Sequence, residues 1–155
     1  MPGARIVCPN CGYGGNRLED WPELAGDRLM VDKASFQLRS PRRWEVVAFR
    51  DPQRPSHVVV KRVIGLPGEK VEIRDRQVFV NGVPLNEPYI QYPASRSYAA
   101  TVVPADSLFV MGDNRDNSSD SRAWGPLPIH GGIVGRAVLR YWPPERIGIL
   151  PAYSY

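Results

Sequence analysis

The stretch from Val58 to Glu69, VVVKRVIGLPGE, constrains the fold of this chain more than any other. It is strongly apolar and rich in β-branched side chains, and a Leu-Pro-Gly sequence follows it directly. Short β-branched runs bounded by turn residues favour strands over helices. Successive side chains of a strand point to opposite faces, and here both faces carry valine or isoleucine. The sequence therefore predicts a strand with apolar neighbours on both sides.

Two cations, Lys61 and Arg62, interrupt this apolar strand. Lys61 shares a face with Val59 and Val63, so we expect its amine to lie against hydrophobic surface, where lost hydration disfavours the charged form. A neutral amine can accept a proton from a nucleophile, which makes Lys61 a candidate general base. The alternative is a lysine whose stem covers the valines while its ammonium group reaches water.

Composition excludes several other classes of protein. Glycine (14) and proline (16) divide the 155 residues into short segments, which favours strands and turns. No run approaches the about 18 apolar residues of a membrane helix, and residues 1–16 lack the apolar core of a signal peptide. The net charge of +4 is spread along the chain. Its densest basic cluster, Arg39, Arg42 and Arg43, comes without a stacking motif, so we interpret it as solvated surface and predict no nucleic-acid partner.

From Gly26 onward, short apolar segments between turn signals predict an all-β fold with a coiled, partly closed antiparallel sheet. Asn81-Gly82 is a strong hairpin turn signal. The polar, tyrosine-containing stretch from Asn86 to Val103 is predicted to be a long exposed excursion. The predicted strands are Arg28–Lys33, Trp44–Arg50, Val58–Gly65, Lys70–Arg74, Gln77–Asn81, Val83–Leu85, Ser107–Met111 and Ile133–Trp142.

The first 25 residues differ from the rest and contain both cysteines of the chain, Cys8 and Cys11, in the sequence CPNCG. This sequence resembles a zinc knuckle, in which a turn lets two thiolates face one ion. Structural zinc takes four ligands, and neither histidine of the chain stands at knuckle spacing. We interpret residues 1–25 as part of a zinc-ribbon-like insertion whose other ligands lie outside this chain, and residues 26–155 as the β domain. The alternative is a loop with two free thiols.

The segment Met111–Pro128, MGDNRDNSSDSRAWGPLP, places a run of acidic, basic, amide and hydroxyl side chains directly after a predicted strand. Such a loop can form a dense internal network of hydrogen bonds and ion pairs. Its composition alone is equally typical of an exposed polar turn.

Taken together with KRVIGLPGE, this loop closely resembles the type I signal peptidases, the membrane-associated serine endopeptidases that remove signal peptides. GDRLMVDK, from Gly26, and RRWEVVAFRDP, from Arg42, resemble two further boxes of that family, and RAVLRYWPPERIG resembles its C-terminal strand. The boxes occur in the family's order between Gly26 and Gly148. The resemblance implies the β-rich architecture of the signal peptidase and LexA-like type.

The resemblance also implies a Ser/Lys catalytic dyad. The family's general base precedes R-V-I-G-L-P-G and corresponds to Lys61, and the serine that orients it corresponds to Ser118. Asp120 and Arg122 match the acidic and basic positions that pair within the same loop. Three further matched positions are expected to be structural: Asp113, Asn114 and Arg115.

Family members are membrane-bound, with the catalytic domain outside the cytoplasm. The resemblance therefore implies preprotein signal peptides as substrates, with small residues near the cut, bound as an added strand. It implies the membrane surface as a second partner, and a peptide hydrolysis that needs no cofactor.

The nucleophile is where the sequence departs from the family. In relatives a Ser-Met-x-Pro-Thr-Leu segment precedes the Gly-Asp-Arg box, whereas the residues before Gly26 read LEDWPELA, and the first serine is Ser35, downstream of the box. One explanation is a piece of a longer signal peptidase whose serine lies upstream. A second is a pseudo-protease that binds peptides without cutting, and a third is a small zinc-binding module. Intact Lys61 and Ser118 favour the first, because buried polar groups are costly to retain without a use.

The paired cysteines generate one prediction. Two thiolates leave half of a tetrahedral shell to water, so Cys8 and Cys11 of a single chain should not retain zinc through dialysis. Metal analysis of the dialysed monomer checks this. Stoichiometric zinc on the monomer would contradict it, whereas zinc held by a dimer with two cysteines from each chain would agree.

Overall fold

The structure, a computed structural model, describes residues 5–6, 16–17, 26–90 and 93–150, the first two pairs by their backbone alone. Cys8 and Cys11 lie outside the described residues, so the zinc-ribbon interpretation stays a prediction. The division of the chain at residue 25 stays a prediction for the same reason.

Strands dominate the described residues. Two one-turn helices, α1 (Ser35–Leu38) and α2 (Ser121–Trp124), and a 3-10 turn at Pro144–Arg146 interrupt them. The strands are β1 (Arg5–Ile6), β2 (Asn16–Arg17), β3 (Arg28–Asp32), β4 (Val46–Asp51), β5 (Arg54–Gly65), β6 (Lys70–Arg74), β7 (Gln77–Val80), β8 (Val83–Pro84), β9 (Tyr98–Val102), β10 (Ser107–Met111), β11 (Leu127–Pro128), β12 (Ile133–Trp142) and β13 (Gly148–Ile149).

Two antiparallel sheets form the β domain. The larger has seven strands, in the order β11-β10-β5-β4-β12-β13 with β3 paired to β12, and the smaller has the order β8-β7-β6-β9. The pair β1 and β2 forms a separate two-stranded ladder. Neither large sheet closes on itself, so the predicted all-β, partly closed antiparallel architecture is confirmed.

Strand β5 is at the centre of the larger sheet and is the longest of the described strands. It contains the predicted strand Val58–Gly65 but begins four residues earlier, at Arg54. It pairs with β4 along most of its length, but its ladder with β10 begins only at Arg62, which lies opposite Met111. Before Arg62, the described strands leave that side of β5 without a partner. Lys61 therefore lies where a two-sided strand becomes an open edge, and an open edge can accept a further strand.

The side chains of β5 and β10 point alternately into two separate apolar cores. Val63 and Val110 pack on one side of the larger sheet, together with Val47, Phe49, Leu108 and Leu127. Ile64 and Phe109 pack on the other side, where the smaller sheet covers them. Both faces of β5 are therefore buried at its C-terminal end, so a cation in this segment must be accommodated within apolar surroundings.

The stretch from Asn86 to Val103 corrects one expectation. It contains strand β9, which extends the smaller sheet beside β6, and Ala94 and Val103 are fully buried. The ring of Tyr98 packs on Phe109, with 5.3 Å between the ring centroids. The prediction of a wholly exposed excursion was wrong. An edge strand needs only one apolar face, and the Ala-Ala-Thr sequence of β9 shows little alternation between apolar and polar side chains, so the strand was not recognised.

Across the parts of the chain that the structure describes, we find no helix with the length and apolar character needed to cross a bilayer.

Candidate active site

Lys61 occupies the last position of β5 before the β10 ladder begins. Its side chain points to the same side of the sheet as the fully buried Val63, and it is itself half-buried. Burial lowers the pKa of the Lys61 amine, and Arg122 adds to this effect, whereas Asp120 opposes it through its negative charge. The described residues place no carboxylate within ion-pair distance of the amine. Lys61 is thus a desolvated cation without a direct anionic partner, the state that favours a neutral amine.

The loop after β10 brings Ser118 to this amine. Lys61 Nζ donates a hydrogen bond to Ser118 Oγ over 2.8 Å, so the structure brings together the two residues that the sequence assigns to the site. Gly112 makes this approach possible, because a Cβ atom at its position would lie 2.3 Å from Ser118 Oγ and 3.5 Å from Lys61 Nζ. Sequence reasoning missed Gly112, although a glycine at the end of a buried strand is a signal of close backbone approach.

Asp120 anchors the loop that carries Ser118. It is completely buried, caps α2 and accepts hydrogen bonds from Gly112 N at 3.0 Å and from Arg122 Nε at 2.8 Å. Burial alone would raise the pKa of Asp120, but the Arg122 and Gly112 hydrogen bonds, with a smaller contribution from the Ser118 hydroxyl, outweigh it and hold the pKa below its usual value. The predicted Asp120–Arg122 pair is therefore present, and the carboxylate whose charge acts most strongly on Lys61 is bound by Arg122.

Arg62, the residue after Lys61 in β5, is on the opposite face and is 5% exposed. It binds Asp113 through two hydrogen bonds of 2.9 and 2.7 Å and donates a third to Trp44 O at 3.0 Å. A bidentate arginine–carboxylate pair is geometrically specific, so this contact fixes the start of the Ser118 loop against β5. Lys61 and Arg62 are therefore both accommodated inside the fold, Arg62 with a carboxylate partner and Lys61 without one.

Arg115 anchors the same loop in a way that the sequence did not predict. It is 3% exposed and binds both carboxylate oxygens of Glu87, and its Nε donates to Gly112 O at 3.1 Å. Asn114 contributes differently, because its carbonyl accepts from Asn117 N at 3.3 Å within the loop. Glu87 lies 28 residues before Arg115 in the chain, and no periodicity in the sequence indicates that they meet.

An open cleft of about 260 Å³ lies beside the Lys61–Ser118 pair. Its lining combines the open edge of β5 with the polar loop, so an extended chain in the cleft would pass both groups. The lining residues are Val46, Val60, Lys61, Arg62, Gly112, Asp113, Asn114, Asn117 and Ser118.

The hydrogen bond between Lys61 and Ser118 can run in either direction. A protonated Lys61 donates to Ser118 Oγ, whereas a neutral Lys61 can accept a hydrogen bond from the Ser118 hydroxyl, because a serine hydroxyl is both donor and acceptor. Ser35, the first serine of the chain, lies in α1 with its hydroxyl bonded to Asp32, so it does not belong to this pair. Within the described ranges no cluster of His, Cys, Asp and Glu is suited to hold a metal ion.

Comparison with known proteins agrees with the fold. The family model for signal peptidase, peptidase S26, matches residues 21–142. Signal peptidase I of Leptolyngbya laminosa is 47% identical over an alignment of 137 residues that covers 83% of this chain and 67% of the relative. Thylakoidal processing peptidase 1 of Arabidopsis thaliana is 40% identical, over 79% of this chain and 38% of the relative. A crystal structure of a signal peptidase I from Enterococcus faecalis V583 superposes with a TM-score of 0.54 and 34% identity, covering 63% of this chain and 97% of that one.

The chain belongs to the signal peptidase family, peptidase S26, as the resemblance implied. The family consists of serine endopeptidases and is membrane- or thylakoid-associated, so the predicted class of enzyme is confirmed at the level of the family. The chain spans 67% of the length of the Leptolyngbya enzyme and 59% of the length of a probable signal peptidase I-2 of Synechocystis, to which it is 43% identical.

The desolvated amine generates a prediction about stability. In the unfolded chain the Lys61 amine has the ordinary pKa of 10.5, and in the folded protein its pKa is lower. Below the folded pKa, protonation of the amine therefore lowers the free energy of unfolding. This penalty shrinks as pH rises from the folded pKa to 10.5 and is absent above 10.5. Lys61→Met removes the titrating group and keeps the apolar stem. At pH 7 its free energy of unfolding should equal or exceed that of the wild type, within about 1 kcal/mol, and the gain should vanish above pH 10.5.

Chemical denaturation from neutral to alkaline pH measures this difference. Lys70→Met, at an exposed lysine of β6, is the matched control for the removal of a lysine side chain. A clear loss of stability in Lys61→Met at pH 7 would mean that the amine is held by a favourable ion pair, as with Asp120, and would rule out the neutral base.

Proposed function

We propose that this chain carries the general-base half of a signal peptidase I active site, which hydrolyses the bond between a signal peptide and the secreted protein. One observation carries the proposal: the half-buried Lys61 amine lies 2.8 Å from the Ser118 hydroxyl at an open strand edge. In this proposal Lys61 accepts the proton of a serine nucleophile, and Ser118 orients the amine toward it. Asp113, Asn114, Arg115, Asp120 and Arg122 hold the loop in place.

The open edge of β5 supports an extended substrate. A peptide that adds to residues 58–61 obtains backbone hydrogen bonds from the strand and passes directly over the amine. Val58 and Val60 are 54% and 39% exposed on this edge, which suits small apolar side chains of a signal-peptide end. A chain that binds at this edge therefore presents its backbone to the Lys61–Ser118 pair.

The serine nucleophile of the proposed reaction has no counterpart in this sequence. No serine precedes Ser35 in the chain, so the attacking hydroxyl would come from a segment with the family's Ser-Met-x-Pro pattern. A non-catalytic peptide-binding domain is the second candidate. It needs the open edge but has no use for a neutral Lys61, so the two functions differ in the expected titration of that amine.

The proposal predicts peptide binding without turnover. An extended peptide with alanine at the first and third positions before the cut should shift the backbone NMR signals of residues 58–61 and of Ser118. The same peptide with tryptophan at both positions is the matched control and should not. Hydrolysis by this chain should be slower than that of a complete peptidase by a factor on the order of 10⁶, because the nucleophile is missing. Signal changes elsewhere, or Lys61-dependent cleavage at an enzyme-like rate, would contradict the proposal.

We also propose that the domain works on the extracytoplasmic side of a membrane and contacts it at the far end of β12. There Leu139 lies in register between Met30 and Ile149, which are 53% and 81% exposed. The guanidinium group of Arg28 lies over the ring of Trp142, 5.7 Å from its centroid. An apolar row flanked by an aromatic ring and a cation suits an anionic membrane interface.

Vesicle co-sedimentation tests the membrane contact. Ile149→Glu should reduce binding to vesicles with anionic lipid several-fold, because a carboxylate opposes both the apolar and the electrostatic attraction. Val83→Glu, at an exposed valine of the smaller sheet, is the control and should bind like the wild type. Equal binding by all three proteins would contradict a contact at this end of β12.

A further inference from the structure

The loop that follows β8 reaches the strand that carries Lys61. The ring of Tyr89 stacks on the guanidinium group of Arg62, 4.2 Å from carbon to ring centroid, and meets the ring of Trp44 edge-on at 5.8 Å. Arg62 is the immediate neighbour of Lys61 in β5 and is nearly inaccessible to water. A cation held against an aromatic face is attracted to it, and the attraction is stronger in a desolvated site. Tyr89 thus holds the base-bearing strand at the residue next to the base.

The same loop also reaches the segment that carries Ser118. The Tyr89 hydroxyl donates to Glu87 at 2.7 Å, and Glu87 accepts two hydrogen bonds from Arg115. Burial, together with the charge and the hydrogen bond of Glu87, raises the pKa of the Tyr89 hydroxyl, so it remains a donor at neutral pH. Arg115 in turn donates to the carbonyl of Gly112, the residue whose backbone lies against Ser118 and Lys61.

Glu87 and Tyr89 therefore bind both halves of the site and touch neither reacting group. One path runs from Tyr89 through Arg62 to the strand of Lys61, and the other runs from Glu87 through Arg115 to the loop of Ser118. We propose that Glu87 and Tyr89 are positioning residues that fix Ser118 against Lys61 and keep water away from the amine. We refer to the two residues as the clamp. This inference rests on the proposed function, because it gives the clamp a role through Lys61.

The charge of Glu87 allows two mechanisms to be distinguished by the direction in which its removal shifts the pKa of Lys61. Glu87 is the carboxylate that satisfies the buried Arg115, and their contact is an ion pair with side chains 10% and 2% exposed. If Glu87 acted on Lys61 by its charge alone, removing that charge would destabilise the ammonium form and lower the pKa of Lys61. If Glu87 acts by position, releasing Arg115 loosens the Gly112 backbone, water reaches the amine, and the pKa rises. The two mechanisms predict shifts in opposite directions.

The experiment measures the rate of Lys61 acylation against pH, because only the neutral amine reacts. The sequence contains three lysines, Lys33, Lys61 and Lys70, and mass spectrometry of peptides distinguishes them. Lys33 and Lys70 are exposed and serve as references within the same protein. The midpoint of each profile reports the pKa of the amine, whereas the plateau reports its accessibility.

Two substitutions in the clamp remove different numbers of its contacts. In Glu87→Gln the midpoint for Lys61 should rise by about one pH unit toward that of the references, as hydration of the ammonium returns. Tyr89→Phe keeps the ring on Arg62 and removes only the hydroxyl, so it should raise the midpoint by a smaller amount. Glu72→Gln, at a half-exposed carboxylate of β6, removes the same charge far from the site and should leave the midpoint unchanged. Unfolding curves of each variant show that the folded protein is being measured.

The outcomes separate the clamp from the function on which it rests. An unchanged or lowered midpoint in the folded variants, with a depressed midpoint in the wild type, would overturn the clamp and leave the proposed function intact. A wild-type Lys61 that reacts with the midpoint of Lys33 and Lys70 would overturn the proposed function itself. If Glu87→Gln does not fold, Tyr89→Phe alone decides, because the loss of one hydroxyl leaves the ring contacts in place.

Discussion

The desolvation of one lysine amine is the constraint on which the rest of this site depends. Lys61 can be half-buried only because β5 carries apolar side chains on both faces, and its amine can stay without an anionic partner only because the nearby carboxylates are already paired. Asp120 binds Arg122, and Asp113 binds Arg62. If either carboxylate were released, it could bind the ammonium form of Lys61 and keep the amine charged.

This arrangement explains why so polar a loop is buried beside an apolar strand. Asp120, Ser121 and Arg115 are nearly inaccessible to water, and each has a hydrogen-bond partner. Asp120 accepts from Gly112 N, Ser121 accepts from Val110 N, and Arg115 donates to Gly112 O. Removing one partner of a buried ion pair costs about 3–5 kcal/mol, so the loop is rigid as long as every pair is intact. A rigid loop is what a 2.8 Å contact between an amine and a hydroxyl requires.

The sequence revealed the parts of the structure that depend on local pattern. The β-branched run of β5 and the segments of β6, β10 and β12 predicted their strands. That Lys61 and Ser118 meet was implied by the resemblance to signal peptidases and not by local pattern. Strand β9 escaped prediction because its Ala-Ala-Thr face is weakly apolar and its position at a sheet edge is set by β6. The Glu87–Arg115 pair escaped because its partners are distant in sequence and nothing in either segment encodes the other.

The titration of Lys61 by NMR in the wild-type protein tests the central claim most directly. With three lysines in the chain, the side-chain carbon signals next to each amine can be assigned by single substitutions and followed from pH 6 to pH 12. A base held in apolar surroundings should titrate clearly below 10.5. If Lys61 instead titrates at 10.5 or above, its amine is hydrated, and the structure holds no poised base at this strand edge.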